Sequence, residues 1–344
     1  TRPLELQGLR AGVAIETYVA PFGQFDQQLI DGSSALNVFK PQIVLAAIRL
    51  ADACPELYVS FNSLSVQQVE QKNADWIGRV RSALTAFRRH SAAPVLLHNC
   101  EMPVEPALGI ADASAATSHC GAIRRANDLL AALAKEVPNV FLMDYDALVA
   151  RYGRRVWSDS RLELVGHMPV AQEMLWALAG FYVRHMRPLL GLSKKVLVVD
   201  ADNTLWGGVV GDVGVEGIAL SGDYPGNAFS LFQKKLLDLQ RRGVVLCLAS
   251  KNEAATVEEV FSRHPGMILK REHFAAMRVN WQPKPDNLRA MAGELNLGLD
   301  SFVFVDDSDV ECDLMRATLP EVMTLRLPTE PAEYAGAIDD LFFI

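Results

Sequence analysis

Two consecutive α/β domains are what this chain predicts, and three observations carry the expectation. Short apolar runs alternate with longer segments of helical periodicity. The alternation ends in a short turn-containing connector, residues 187–195 (RPLLGLSKK), and then restarts. The 344 residues suffice for two domains of ordinary size, roughly 100–200 residues each. Strands alternating with helices imply βαβ units and parallel sheets. The expected domains are 1–190 and 191–344.

In the first half, residues 13–20 (VAIETYVA), 42–47 (QIVLAA), 94–98 (PVLLH) and 139–143 (NVFLM) read as buried strands. Residues 69–87, 115–136 and 170–190 have helical periodicity. In the second half, 195–199 reads as a strand, 224–241 as a helix, 244–249 as a strand, 253–263 and 286–295 as helices, and 302–305 as a strand. There is no internal repeat and no low-complexity stretch.

Composition narrows the function classes. Half the residues are hydrophobic and 22% are charged, which is ordinary for a globular chain. No apolar run approaches the roughly 18–20 residues that span a bilayer, and nothing reads as a secretory signal. The net charge of −8 argues against a nucleic-acid partner, because phosphate binding needs a dense basic face. The five cysteines (Cys54, Cys100, Cys120, Cys247, Cys312) are scattered and never form CxxC, which suits reduced thiols and a cytoplasmic setting. The chain opens on Thr1 rather than a methionine, as a piece of a longer polypeptide or one with its start removed would.

The strongest chemical signal is VLVVDADNTLW, residues 196–206. A hydrophobic strand delivers Asp200 and Asp202 at its carboxyl end, where open α/β sheets bind ligands. One carboxylate can attack phosphorus while the other protonates the leaving oxygen and later activates water. Two aspartates after a strand can also simply cap a loop, so the pair alone does not decide. Three further segments do. The strand at 244–249 runs into Ser250-Lys251-Asn252 and supplies a hydroxyl for a phosphoryl oxygen. Lys284, in WQPKPD, supplies a cation against phosphate charge. The strand FVFV ends in Asp306 and Asp307, suited to an oxygen shell around Mg²⁺.

DADNTLW, SKN, the isolated Lys284 and FVDDSD resemble the four motifs of the haloacid dehalogenase superfamily. The resemblance implies a Rossmannoid catalytic domain in which Asp200 is the nucleophile and Asp202 the general acid/base. Ser250 and Lys284 would hold the phosphoryl group, with Asn203, Lys251 and Asn252 nearby and Thr204 orienting the loop. Mg²⁺ would be held by Asp200, the Asp202 carbonyl and Asp306 or Asp307.

A narrower resemblance rests on DNTLWGGVVGDVG, SKNE, HFAAMRVNWQPKPDN, ELNLGLDSFVFVDD and the upstream YVAPFGQFDQQ. Together they are similar to the FkbH family over nearly the whole chain. That likeness implies a protein of polyketide biosynthesis that takes D-1,3-bisphosphoglycerate, releases phosphate, and places a glyceryl unit on the phosphopantetheine thiol of an acyl carrier protein. It also implies that the first half is an SGNH-hydrolase-like three-layer α/β domain lacking its first strand, and that the family continues past Phe342-Phe343.

Between Asp202 and Ser250 there is room for a Gly-rich hairpin-like stretch, residues 207–220, and one helix. No large cap domain fits, so the site should be open to a protein-borne arm. Gly207, Gly208 and Gly211 suit tight turns there. Asp159 and His167 are placed as remnants of a hydrolase dyad, with a structural His167 in a docking or scaffold domain preferred. Many FkbH-like proteins carry a cysteine directly before Ser-Lys-Asn. Here that possible acyl-acceptor position is Ala249, while Cys247 and Cys312 read as small buried hydrophobes. Lys234, Lys235, Arg241 and Arg242 form a candidate basic patch for an acidic carrier. A plain Mg²⁺-dependent phosphatase and a carrier-docking scaffold without turnover are the competing readings.

Overall fold

The structure, a computed structural model, describes residues 1–339 and 341. The continuation expected after Phe342-Phe343 lies outside the described residues. The chain divides into two compact units, Thr1–Leu189 and Leu190–Ile344.

The first unit holds three parallel strands in sequence order: β1 (Val44–Ala46), β2 (Val95–His98) and β3 (Val140–Met143). The helices Val66–Phe87 and His119–Glu136 pack on the face that carries Val95 and Leu97. The helix Leu175–Leu189 covers Leu96 and Met143 on the other face. This is the period-two alternation of a strand buried on both sides. The start of Val66–Phe87 is fixed by a capping box in which Ser65 and Gln68 satisfy each other's backbone amides. Ser118 caps His119–Glu136 through the Gly121 amide.

The strand expected at 13–20 does not form. Val13, Ile15 and Thr17 are partly buried and Gly12, Ala14 and Glu16 exposed, as in a strand, but Tyr18 breaks the alternation and the segment joins no ladder among the described residues. Alternation sets which side chains are buried; a strand also needs a backbone partner. A helix at Arg2–Arg10, not expected from periodicity, precedes it.

The second unit is a five-stranded parallel sheet in the order β6-β5-β4-β7-β8, built from β4 (Val196–Val199), β5 (Val245–Ser250), β6 (Phe274–Val279), β7 (Phe302–Asp306) and β8 (Met323–Arg326). Alternate residues of the central strand feed two cores. Leu197 and Val199 meet Phe232 and Leu236 of the helix Gly226–Arg241 and Val257 and Val260 of the helix Ala254–Arg263. Val196 and Val198 meet Leu288 and Met291 of the helix Lys284–Leu295 and Cys312 and Met315 of the helix Asp309–Thr318. The chain reverses its direction of travel across the sheet at β4, so the crevice beyond the carboxyl ends of β4 and its neighbours is the topological switch point.

Residues 203–225 form no separate cap domain. Trp206, Val210, Ile218 and Leu220 of this insertion are buried in the unit's own core, and Gly207 bridges Ala219 in antiparallel fashion. Gly208 sits at φ +94°, a conformation that favours glycine. A Cβ on Gly207 would stand 2.8 Å from the Phe229 ring. Gly211 has neither constraint: it lies in a helical turn facing open space, and the second left-handed turn falls at Gly214 instead.

Candidate active site

The carboxyl ends of β4, β5 and β7 and the first turn of Lys284–Leu295 bring four separate sequence segments together. Asp200 follows β4, its amide continuing the ladder to Val305 O at 3.1 Å. Lys284 opens its helix between two prolines, and Pro285 is tolerated there because first-turn amides have no intrahelical acceptor. Its ammonium lies 2.9 Å from Asp200 Oδ1 and 2.6 Å from Asp306 Oδ2. All three groups are buried, with Asp306 fully so. Asp306 Oδ1 accepts from the Ser308 amide at 2.9 Å.

The electrostatics follow from that burial. Asp200 is pushed up to about 6, by desolvation first; Lys284 opposes the rise and Asp306 adds to it. Asp306 is also raised by burial, against the pull of Lys284. Asp307 is raised by burial and then by Asp200. Burial works against the Lys284 ammonium, but the two carboxylates outweigh it and hold its pKa above the usual lysine range.

One carboxylate oxygen from each of Asp200, Asp306 and Asp307 lies within 4.8 Å of the others. Three ionised carboxylates against one lysine leave two negative charges uncompensated. A hard divalent cation with oxygen ligands matches both the donor set and that charge. The Asp202 carboxylate is not part of this group; only its carbonyl was expected at the metal.

Asp202 belongs to a second cluster. Its Oδ1 accepts from Trp206 Nε1 at 2.9 Å and the Val210 amide at 3.0 Å. Its Oδ2 accepts from Asn252 Nδ2 at 2.8 Å. The same Asn252 amide reaches Ser250 Oγ at 3.3 Å, so it ties the second aspartate to the serine. The other residues expected to meet substrate are placed differently. Asn203 Oδ1 accepts from the Gly208 amide at 2.8 Å, with the residue at φ +51°, so its side chain holds the turn. Lys251 is paired with Glu311 at 2.6 Å. Thr204 is fully buried beneath the loop.

Two supports of the loop were not foreseen. Tyr334, buried against Phe229 and Phe232, donates its hydroxyl to Asn203 O at 3.0 Å. Gln233 donates to Leu205 O at 2.7 Å and accepts from the Ile268 and Leu269 amides. Gln233 had a signal, a lone amide on the apolar stripe of an amphipathic helix. Tyr334 had none in the local pattern.

Several further expectations change. Ala249 is completely buried in the apolar cluster with Cys247, Leu288 and Phe304, so as an acyl-acceptor position it faces packed side chains. The cause is the pleat, which sends Ala249 and Ser250 to opposite faces. Burial pushes the Cys247 thiol up to about 11 and, with Asp306 adding, the Cys312 thiol up to about 12. The basic patch is partly neutralised and poorly placed. Lys235 pairs with Asp339 and Arg241 with Asp238. Arg241 and Arg242 end a helix that leads into the amino end of β5, opposite the carboxylate cluster. In the first unit Asp159 caps the helix Ser160–Gly166 through the Arg161 and Leu162 amides. His167 follows the other end of that helix and stacks on Phe22, so the two form no dyad. Asp52, Glu163 and His167 do approach one another, with Arg49 ion-paired to both acids.

The strand order and the buried Asp–Lys–Asp cluster define a haloacid-dehalogenase-type unit. The family model for the FkbH N-terminal domain matches residues 4–183, and the chain belongs to the FkbH family. Of the solved structures, the N-terminal part of a Bacteroides fragilis protein, containing a phosphatase domain and complexed with Mg, is 27% identical with a TM-score of 0.88, covering 99% of this chain and 89% of that one. A HAD family enzyme from Bacteroides thetaiotaomicron, in complex with magnesium and inorganic phosphate, is 15% identical with a TM-score of 0.28, covering 39% of this chain and 94% of that one. No curated protein matches.

Proposed function

We propose that this protein is an Mg²⁺-dependent phosphoryl-cleaving enzyme that takes D-1,3-bisphosphoglycerate, releases phosphate and loads the glyceryl unit onto the phosphopantetheine thiol of an acyl carrier protein. The observation that carries the reading is the Asp200–Lys284–Asp306 cluster, buried at the switch point, while Trp206, Val210, Ile218 and Leu220 of the insertion after Asp202 pack into the unit's own core. A bound divalent cation would supply charge neutralisation for the phosphoryl oxygens. Asp200 Oδ forms the bond to phosphorus as the bond to the leaving oxygen breaks, and Asp202 gives that oxygen its proton. Asp202 then takes a proton from the water that cleaves the aspartyl phosphate. Lys284 and Ser250 hold the phosphoryl oxygens, and Asn252 keeps Asp202 beside Ser250. The Mg²⁺-complexed phosphatase domain of the Bacteroides fragilis relative supports the cation and the class of reaction.

In this reading the first unit is an SGNH-like scaffold domain that serves docking, and the protein works in the cytoplasm. A second reading is a plain phosphatase. It is favoured by one fact: among the second unit's described residues, the two cysteines are buried, high-pKa thiols unsuited to carrying an acyl group. Intact-mass spectrometry of a holo-carrier protein after incubation with enzyme and D-1,3-bisphosphoglycerate separates the two. A glyceryl adduct on the carrier establishes the first reading; Asp200-dependent phosphate release with an unmodified carrier establishes the second.

A further inference from the structure

Asp200 is 7% exposed and Lys284 3%, so the buried cluster takes one phosphoryl group and leaves the rest of a substrate at the rim. The substrate proposed above carries a second phosphate at the far end of a short carbon chain. That group needs a cation of its own, because Lys284 is already committed to two carboxylates.

Lys251 is placed to supply it. The residue lies between Ser250 and Asn252, and the Asn252 amide reaches Asp202 Oδ2 at 2.8 Å and Ser250 Oγ at 3.3 Å. The Lys251 ammonium is held by Glu311 Oε1 at 2.6 Å. Glu311 is tied to the cluster from the other side. Its backbone amide donates to Ser308 Oγ at 3.4 Å, and the Ser308 amide donates to Asp306 Oδ1 at 2.9 Å. Lys251 follows β5, and Glu311 lies in the first turn of the helix after β7. β4 runs between those two strands, so the ion pair spans its carboxyl end, where Asp200 stands. Strand spacing makes that crossing roughly 10 Å. The Lys251 side chain is 36% exposed and that of Glu311 12%, so the lysine is the partner that faces solvent. An ammonium has several N–H donors, and Glu311 occupies one of them.

We propose that Lys251 is a specificity-determining residue: held across the end of β4 by Glu311, its ammonium binds a second anionic group of the substrate while the first occupies the Asp200–Lys284–Asp306 cluster. The assignment rests on the phosphoryl-transfer reading and adds the substrate class, phosphorylated compounds that carry a further phosphate or carboxylate. A compact, strongly charged ammonium suits either oxyanion. A ligand with one anionic group gains nothing from the contact.

The test is steady-state phosphate release from D-1,3-bisphosphoglycerate by the full chain with Mg²⁺, corrected for spontaneous hydrolysis. Inorganic phosphate serves as a competing ligand that lacks a second anion. Lys251→Met is expected to raise KM about tenfold, while the inhibition constant of phosphate moves less than about twofold. Lys251→Arg keeps the cation and most of the affinity. Glu311→Gln keeps an acceptor for the ammonium and removes a competing negative charge, so KM should not rise. A purely structural ion pair would instead be lost in Lys251→Met and Glu311→Gln alike. An unchanged KM in Lys251→Met, equal rises in KM and in the phosphate constant, a change confined to kcat, or a raised KM in Glu311→Gln overturns the role of Lys251 alone. Absence of release from wild type, or release that survives Asp200→Asn, overturns the underlying reading, and this inference with it.

Discussion

Lys284 Nζ stands 2.6 Å from Asp306 Oδ2, an ion pair in which neither side chain has more than 4% of its surface exposed. The same ammonium serves Asp200, so one cation compensates two buried carboxylates. Lys284→Met should therefore leave two mutually repelling acids in a desolvated site. Breaking a buried pair in this way costs on the order of 3–5 kcal/mol. The metal-free variant is expected to melt well below wild type at pH 7, with Mg²⁺ recovering part of the difference. A melting temperature equal to wild type would show that the acids are not held by this lysine.

Asp200→Asn should abolish phosphate release while the fold persists, because an amide cannot attack phosphorus. Circular dichroism and a phosphate assay on the same sample decide it. Near wild-type release from the folded variant removes Asp200 from the nucleophile's role.

The raised pKa of Asp200 also sets a pH dependence of stability. Its folded value of about 6 stands above the ordinary value of 3.8, so the folded state binds the extra proton between those values. The stability from protonated Asp200 is complete below pH 3.8 and is lost as pH rises to about 6. That loss, about 3 kcal/mol at most, is absent in Asp200→Asn. The metal-free variant should then melt higher relative to wild type at pH 7 than at pH 4.5, and added Mg²⁺ should stabilise wild type more than the variant. Parallel melting curves across that pH range would contradict the assignment of the shift to Asp200.

How far the sequence could be read depended on burial. β4, β5 and β7 are covered on both faces and appear as apolar runs ending in Asp200, Ser250 and Asp306. The edge strands β6 and β8 are half-exposed and carry Arg278 and Arg326, so their apolar runs are short and interrupted by charge. Residues 13–20 have the run and the alternation but no ladder, because pairing depends on a neighbour distant in sequence. Within the site, the motif spacing marked Asp200, Lys284 and Asp306 for one substrate. It could not show that Lys251 turns to Glu311 or that Tyr334 reaches Asn203 from 131 residues away.

Tyr334→Phe isolates that long-range support. Removing one hydroxyl leaves the Asn203 carbonyl without this donor and the aromatic packing intact. The expected stability loss is about 1 kcal/mol. Turnover should fall several-fold with KM nearly unchanged, since the loop presents Asp200 and Asp202 rather than binding the substrate's bulk. A change in KM with kcat preserved would place Tyr334 at the substrate instead.

The last prediction concerns position 249. A cysteine there would stand directly before Ser250, near the positive potential of Lys284, which on charge alone favours a thiolate. Burial acts in the opposite direction. Ala249 has no exposed surface and lies in the same apolar cluster as Cys247, whose thiol burial pushes up to about 11. The pleat points both side chains away from the face that carries Ser250, and an added sulfur must fit into the buried apolar cluster that holds Leu288 and Phe304. Burial should prevail, because a thiolate needs solvation or a direct cation contact and Lys284 is already committed to two carboxylates. Ala249→Cys is therefore expected to fold with a small loss of stability. It should gain no thiol reactive to Ellman's reagent until unfolded, and carry no hydroxylamine-sensitive adduct after exposure to D-1,3-bisphosphoglycerate and Mg²⁺. Rapid native-state labelling, or a glyceryl adduct seen by intact mass and released by hydroxylamine, would show that the end of β5 opens to substrate and that the alanine stands where an acyl acceptor can work.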